Sequence, residues 1–285
     1  MQTGSAATKI SIVIATYHAA GTLEQCLRSI DSQTYANREL IVMDGGSTDG
    51  TVGLLEAWSD RIDYWESEAD RGIYHAWNKA LKHASGEWIC FLGADDYFWS
   101  ETALESLVSA LVAPDRNSRL IYGRVAVVND LGQVLYRVGE AWDSARQRFH
   151  QVMSMPHLGV LHHRSLFEDY GPFDESFRIA GDYEFLLREL RQAPAQFVAG
   201  PEAIVGMRVG GISSQPALAL QQLREVRRAQ RSLGFRWPGP YWIMAVARIY
   251  LRMALWPLLG EARTRRLLDF GRRLRGLPPF WTRTL

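Results

Sequence analysis

Along the first hundred residues, apolar positions follow two alternating periods. KISIVIAT, Lys9 to Thr16, reads as a buried strand, and Leu23, Cys26, Leu27 and Ile30 then fall at the i, i+3, i+4, i+7 spacing of a helix with one apolar face. ELIVM, Glu39 to Met43, is a second buried strand. It runs into DGGSTDGT, a turn-forming cluster in which Ser47, Thr48 or Asp49 is available to cap a helix from about Thr51 to Trp58. IDYWE (Ile62 to Glu66), a helix across Ile73 to Ala84 and WICFL (Trp88 to Leu92) complete a further cycle.

Strands that alternate with helices imply right-handed crossovers, hence an α/β protein with a mainly parallel sheet and helices on both faces. In such sheets ligands bind beyond the carboxyl ends of the strands. Thr16 and Tyr17 follow the first strand, Asp44 follows ELIVM, and Asp95 and Asp96 follow WICFL. Three strand ends are therefore expected to converge on one crevice. Further on, LIYGRVAVV (Leu120 to Val128) and QVLYRV (Gln133 to Val138) read as a hairpin around NDLG. A helical segment from about Ser165 leads through GPFDESF to a helix near Asp182 to Leu190, striped by Tyr183, Leu186, Leu187 and Leu190. The body is expected to span residues 1–214, with a helical tail over 215–285.

The polar residues at these strand ends carry the candidate chemistry. Adjacent carboxylates at the edge of a core need a partner, because desolvation and mutual repulsion both act against them. Asp95 and Asp96 suit Mg²⁺ or Mn²⁺, hard cations that share their remaining positions with water and phosphates; a solvated turn is the plain alternative. The glycines of DGGSTDGT permit close approach of a base or ribose, with Asp44 as acceptor. It is not a Walker A loop, since no Gly-Lys-Ser/Thr follows. SEADRGIYHAWNKAL carries Glu68, Asp70, Arg71 and Lys79, and a cationic face there could meet a diphosphate. Asp182 is either a helix cap or a general base within reach of an incoming hydroxyl.

Composition narrows the class. With 285 residues, 47% hydrophobic and 22% charged, the chain is an ordinary globular protein, neither disordered nor fibrous. Cys26 and Cys90, the only cysteines, read as core residues with no disulfide framework. The first residues, MQTGSAATKI, lack a cationic region before Lys9, so the expected location is cytoplasmic.

The net charge of +1 conceals an asymmetry: residues 215–285 hold 14 Arg against three acids, and residues 1–214 hold 18 basic and 28 acidic residues. From Pro240 to Gly260 the tail is apolar enough to consider a bilayer span, which needs ~20 residues. Arg248 and Arg252 sit mid-segment, each costing roughly 2.5 to 3.5 kcal/mol at a bilayer centre. An interfacial helix, with Trp237, Trp242, Trp256 and Trp281 among arginines, fits better and predicts peripheral contact with the inner face of the cell membrane. The alternative is a helical hairpin packed on the body or used for oligomerisation. No nucleic-acid role is expected, since the body is acidic.

Taken together and in order, SIVIATY, SIDSQTY, VMDGGSTDGT, SEADRGIYHAWNKAL, GEWICFLGADD and FDESFRIAGDYEFLLR resemble the family 2 glycosyltransferases, inverting enzymes of the GT-A (Rossmann-like) fold. The resemblance implies that Thr16, Tyr17 and Asp44 border the nucleotide of a nucleoside diphosphate sugar, UDP-linked. It implies that Asp95 and Asp96 match the metal-holding DxD region, and that Asp182 matches the catalytic base. Arg71 would help stabilise the departing diphosphate. His157 in MPHLGV would lie in the acceptor pocket, and RVGGISSQ (Arg208 to Gln215) would close over the donor with Arg208 on the diphosphate.

The acceptor would be a lipid-linked or surface polysaccharide hydroxyl. Two departures stand out: many relatives have Asp-Asp-Gly-Ser where this chain has Asp44, Gly45, Gly46, Ser47, and many have Asp at the position of Gly93. A nucleotidyltransferase also uses paired acids on an α/β sheet, but its Gly-rich basic loop is replaced here by ATYHAAGT. A non-catalytic membrane-bound scaffold with the same fold is the second rival.

Overall fold

The computed structural model describes residues 8–112, 118–200, 202–210, 218–274, 276, 279 and 281–282. Three β/α cycles and a fourth strand come first. They are β1 (Ile10–Thr16), α1 (Leu23–Asp31), β2 (Arg38–Asp44), α2 (Thr51–Ala57), β3 (Tyr64–Ser67), α3 (Ile73–Leu81) and β4 (Trp88–Gly93). β5 (Tyr97–Phe98) and α4 (Ala103–Ser109) follow, then β6 (Leu120–Tyr122), β7 (Val125–Val128) and β8 (Val134–Val138). The remainder comprises α5 (Trp142–Phe149), β9 (Leu161–His163), α6 (Ser165–Tyr170), α7 (Gly181–Leu190), β10 (Gln196–Phe197) and β11 (Val205–Arg208). The last three helices are α8 (Ala219–Ser232), α9 (Pro240–Leu259) and α10 (Glu261–Arg273).

Among the described residues the main sheet has seven strands in the order β10-β6-β9-β4-β1-β2-β3. β4, β1, β2 and β3 are mutually parallel, whereas β9 runs antiparallel to both β4 and β6. The unbroken apolar runs have a direct cause: side chains alternate across the sheet, and both faces are covered. Val13, Ile41, Met43, Ile89 and Phe91 enter one core with residues of α3, α5, α7 and α8. Ile12, Ile14, Leu40, Val42, Cys90 and Leu92 enter the other with residues of α1, α2 and α4. Cys26 and Cys90 are buried free thiols, as the sequence indicated.

One sequence expectation is corrected. The run Leu120 to Val128 is not one strand: β6 joins the main sheet, and β7 pairs with β8 and β11 in a second, four-stranded sheet. Gly123 lies at the break, where a Cβ would stand 2.3 Å from Ile204 Cγ1, so only glycine lets the chain change sheets there. Past residue 214, α8 takes the packing alternative expected of the tail. Val226 and Ala229 of α8 are buried in the same core as α7, and Gln230 donates to the Gln151 carbonyl at 2.8 Å. α8 is part of the body. α9 alone among the long helices has no buried residue.

Candidate active site

Sheet register brings the strand ends together. Thr16 pairs with Asp44, Ala15 with Gly93, and Asp44 with Ser67. Asp44 is 1% exposed, and its carboxylate holds its own loop: it accepts the N–H groups of Gly46 and Ser47 and the hydroxyls of Ser47 and Ser67, at 2.5 to 3.1 Å. At the start of α2 one of the three expected cap residues, Asp49, holds the first helical amide. Gly50, in the left-handed region at φ 102°, precedes the helix, and Asp49 accepts from Thr51 N–H at 3.1 Å and Thr51 Oγ1 at 2.6 Å.

Thr16 is buried with its hydroxyl unpartnered among the described residues, and Tyr17 is exposed and stacked on His18 with ring centroids 4.1 Å apart. Gly45 faces both Tyr17 and Asp70: a Cβ there would lie 2.9 Å from Asp70 Oδ2 and 3.3 Å from the Tyr17 ring. Asp70 thus occupies the space that a side chain at position 45 would need. In the sequence Asp70 is one charge among several in SEADRGIYHAWNKAL. Nothing in the pattern marks it, because the proximity is created by the turn that brings the segment before α3 back over the β2 end.

At the end of β4 the two carboxylates converge on one glycine. A Cβ on Gly93 would lie 2.6 Å from Asp96 Oδ2 and 2.7 Å from Asp95 Oδ1. Asp96 is 5% exposed and Asp95 is partly open to solvent. Burial, then the Asp95 charge, push the Asp96 carboxyl well above its usual range, against N–H donation from Arg208 at 3.2 Å. A cation would relieve both causes. Among the described residues no set of three or more His, Cys, Asp or Glu converges, so two carboxylates with open positions is the donor set on offer, which suits Mg²⁺ or Mn²⁺ better than a closed protein cage. The guanidinium of Arg208 reaches Gln25, and residues 211–217 of the expected closing loop lie outside the described residues.

Asp182 sits at the second position of α7, half-buried. It does not cap the helix. Its Oδ1 accepts from Tyr183 N–H at 2.8 Å and from the Tyr74 hydroxyl at 3.3 Å. Crowding by protein raises its carboxyl to about 6, with those two donors opposing and the charge of Glu225 assisting. Arg71, expected to face a diphosphate, is largely exposed and paired with Glu175 at 2.5 Å. Lys79 is paired with Glu66 at 2.5 Å. His157 is 6% exposed in an aromatic core, against Trp77, Phe91 and His162, and burial followed by the nearby His162 holds its pKa well below the usual value. Its imidazole is packed among these rings.

The sequence pattern of glycosyl transferase family 2 matches residues 11–154. The chain belongs to this family. This family 2 glycosyltransferase is 33% identical over 186 residues to a PGL/p-HBAD biosynthesis glycosyltransferase of Mycobacterium tuberculosis, covering 64% of this chain and 70% of that one. It is 27% identical over 223 residues to an uncharacterized glycosyltransferase of Rickettsia typhi, covering 76% of this chain and 68% of the other.

Among solved structures, its fold is similar to the mannosyltransferase PcManGT of Pyrobaculum calidifontis in complex with GDP-Man and Mn²⁺. There the TM-score is 0.62 at 22% identity, over 98% of this chain and 84% of that one. It is also similar to TarS of S. aureus in complex with UDP-GlcNAc, with a TM-score of 0.61 at 18% identity, over 90% and 78%. The fold is therefore GT-A, as expected from the sequence.

Proposed function

We propose that this glycosyltransferase transfers a sugar, with inversion, from a UDP-linked donor to a hydroxyl of a lipid-linked or surface polysaccharide acceptor, using Mg²⁺ or Mn²⁺. The observation that carries this reading is Asp182, a half-buried carboxyl lifted to about 6 at the start of α7 on a chain of this family. Such a group is ionised at neutral pH, yet basic enough to accept a proton from an attacking hydroxyl. In a single displacement the acceptor O–H proton passes to Asp182, the new bond forms between that oxygen and the anomeric carbon, and the bond from that carbon to the diphosphate oxygen breaks. Tyr74 steadies the carboxylate before transfer.

Asp95 and Asp96 would hold the metal, which when bound offsets the charge of the leaving diphosphate. Thr16, Tyr17 and Asp44, with Asp70 beside Gly45, would border the nucleotide; Arg71 and Arg208 would complete the diphosphate surroundings by exchanging their present partners. Asp70 supports a donor base with an N–H edge, uracil among them, because a carboxylate lies next to an exposed aromatic ring. TarS, of the same fold, was solved with UDP-GlcNAc.

A panel of nucleotide sugars assayed for release of nucleoside diphosphate, with and without Mn²⁺, tests the reading. Asp182→Asn should cut turnover by about a hundredfold to ten-thousandfold and leave donor binding intact. A variant that keeps most of its activity would remove Asp182 from the base role, and release of no nucleoside diphosphate by the parent protein would favour a scaffold.

The tail supports peripheral attachment on the cytoplasmic side. α9 leaves Tyr241, Ile243, Met244, Tyr250, Leu251, Met253 and Leu258 exposed, with Arg248 among them. An amphipathic hairpin of α9 and α10 rich in arginine fits an anionic headgroup layer, and would hold the crevice close to a lipid-linked acceptor.

A further inference from the structure

The first N–H groups of a helix have no partner within it and need one from elsewhere. At α7 the Tyr183 N–H is met by Asp182 Oδ1 at 2.8 Å, and Ala180, which precedes the helix, makes no side-chain cap; the segment leading into the helix has its partner elsewhere. The partner comes from α8. Glu225 is 9% exposed, and its carboxylate accepts the N–H of Ile179 at 2.8 Å, of Ala180 at 2.9 Å and of Arg178 at 3.2 Å. Gln221, one turn earlier on α8, donates to its other oxygen at 3.1 Å. The next N–H along, that of Gly181, goes to the Tyr74 hydroxyl at 2.8 Å. Three consecutive amides of the segment that leads into α7, at the positive end of its dipole, are thus served by one buried carboxylate, which is a strong form of charge-assisted bonding.

The remaining charges nearby are turned elsewhere. Arg227 of α8 donates to the carbonyls of Phe235 and Arg236, and Arg228 lies over the Phe177 ring, 3.7 Å from its centre. The groups facing Asp182 are Tyr74 from α3, Tyr183 on α7 and Glu225 from α8.

We propose that Glu225 is a positioning residue for sugar transfer: by clamping the backbone from Arg178 to Ala180, the segment that leads directly into α7, it fixes the aim of the Asp182 carboxylate. The proposal rests on Asp182 being the base. It assigns a role in the reaction to a helix that the sequence placed in the tail. Burial near a like charge is otherwise unfavourable, and here the amides compensate it.

The test compares Glu225→Gln and Glu225→Ala with the parent protein, full length, reading kcat and donor KM against pH, Mn²⁺–UDP binding by calorimetry, and the melting temperature. Glu225→Gln keeps the acceptor oxygen but removes the charge, so kcat should fall about tenfold with UDP affinity within about twofold of the parent. Its acid limb should move to lower pH, because loss of a neighbouring negative charge eases ionisation of Asp182. Glu225→Ala should lose about a hundredfold in kcat.

An unmoved acid limb and unchanged kcat in Glu225→Gln, with only a lowered melting temperature in Glu225→Ala, would overturn the proposal. Glu225→Asp keeps the charge and shortens the reach; in it a several-fold loss of kcat at unchanged KM supports the clamp, and parental kcat overturns it, even where the other two variants do not fold. Activity retained in Asp182→Asn would instead indict the base assignment, and that result is read independently of Glu225.

Discussion

The hydroxyl of Tyr74 stands 3.3 Å from Asp182 Oδ1 while accepting the Gly181 N–H at 2.8 Å. The incoming N–H occupies the phenolic oxygen, so the phenol proton is directed at the carboxylate. Burial, then the nearby Asp182 charge, push the Tyr74 pKa well up, which keeps that proton in place at any working pH. The acid limb of kcat/KM should therefore lie near pH 6, where Asp182 titrates. Tyr74→Phe removes a donor to the charged form, so Asp182 should become a weaker acid and the limb should move to higher pH. A pH–rate profile identical to that of the parent would show that the hydroxyl does not act on the base.

Gly93 provides a direct probe of the acidic pair. A methyl group there would meet Asp96 Oδ2 at 2.6 Å and Asp95 Oδ1 at 2.7 Å, so both carboxylates must rotate away. Gly93→Ala should weaken Mn²⁺ binding by about 10- to 100-fold, measured by calorimetry in the presence of UDP, with little loss of thermal stability. Unchanged affinity would take the two aspartates out of the metal site.

The buried imidazoles make stability depend on pH in one direction. Burial pushes His162 down to about 4 from an ordinary 6.5, and lowers His157 as well. Above pH 6.5 both states are neutral and nothing changes. Below it the unfolded chain binds protons that the folded chain cannot, so stability falls as the pH drops from 6.5 toward 4, by about 3 kcal/mol for His162 alone. Urea melts across that window should show the slope, and His162→Phe should flatten part of it. A slope that His162→Phe leaves unaltered would mean that the residue is protonated in the folded state.

Two truncations separate the roles of the C-terminal helices. A chain ending at Gly239 keeps α8 and should remain folded and active on a soluble acceptor, but should no longer float with anionic vesicles at low salt. A chain ending at Ser214 also loses α8, with buried Val226 and Ala229 and the Gln230 hydrogen bonds, and should be destabilised by more than about 3 kcal/mol. Vesicle binding by the Gly239 truncation equal to that of the full chain would exclude α9 and α10 as the membrane contact.

The repeating β/α pattern was legible because both faces of the central strands are covered and the helices are striped, so periodicity carried β1 to β4 and α1 to α3. Asp95, Asp96 and Asp182 were legible as residue types at strand and helix ends. What local pattern could not convey was pairing at a distance. The split of Leu120 to Val128 between two sheets depends on Gly123 meeting Ile204, and the clamp on the entry to α7 comes from Glu225, 45 residues beyond Ala180. The roles of Arg71 and His157 were read from charge and residue type, whereas the packing pairs one with Glu175 and seals the other among aromatic rings.

The clamp on the entry to α7 also orders events during synthesis. In a nascent polypeptide the strands, the acidic pair and Asp182 are all synthesised before Glu225, and until Glu225 is made the amides of Ile179 and Ala180 lack their partner. The candidate site is thus completed late, by the last helix of the body, and a product terminated before Glu225 would carry Asp95, Asp96 and Asp182 without the carboxylate that holds the entry to α7.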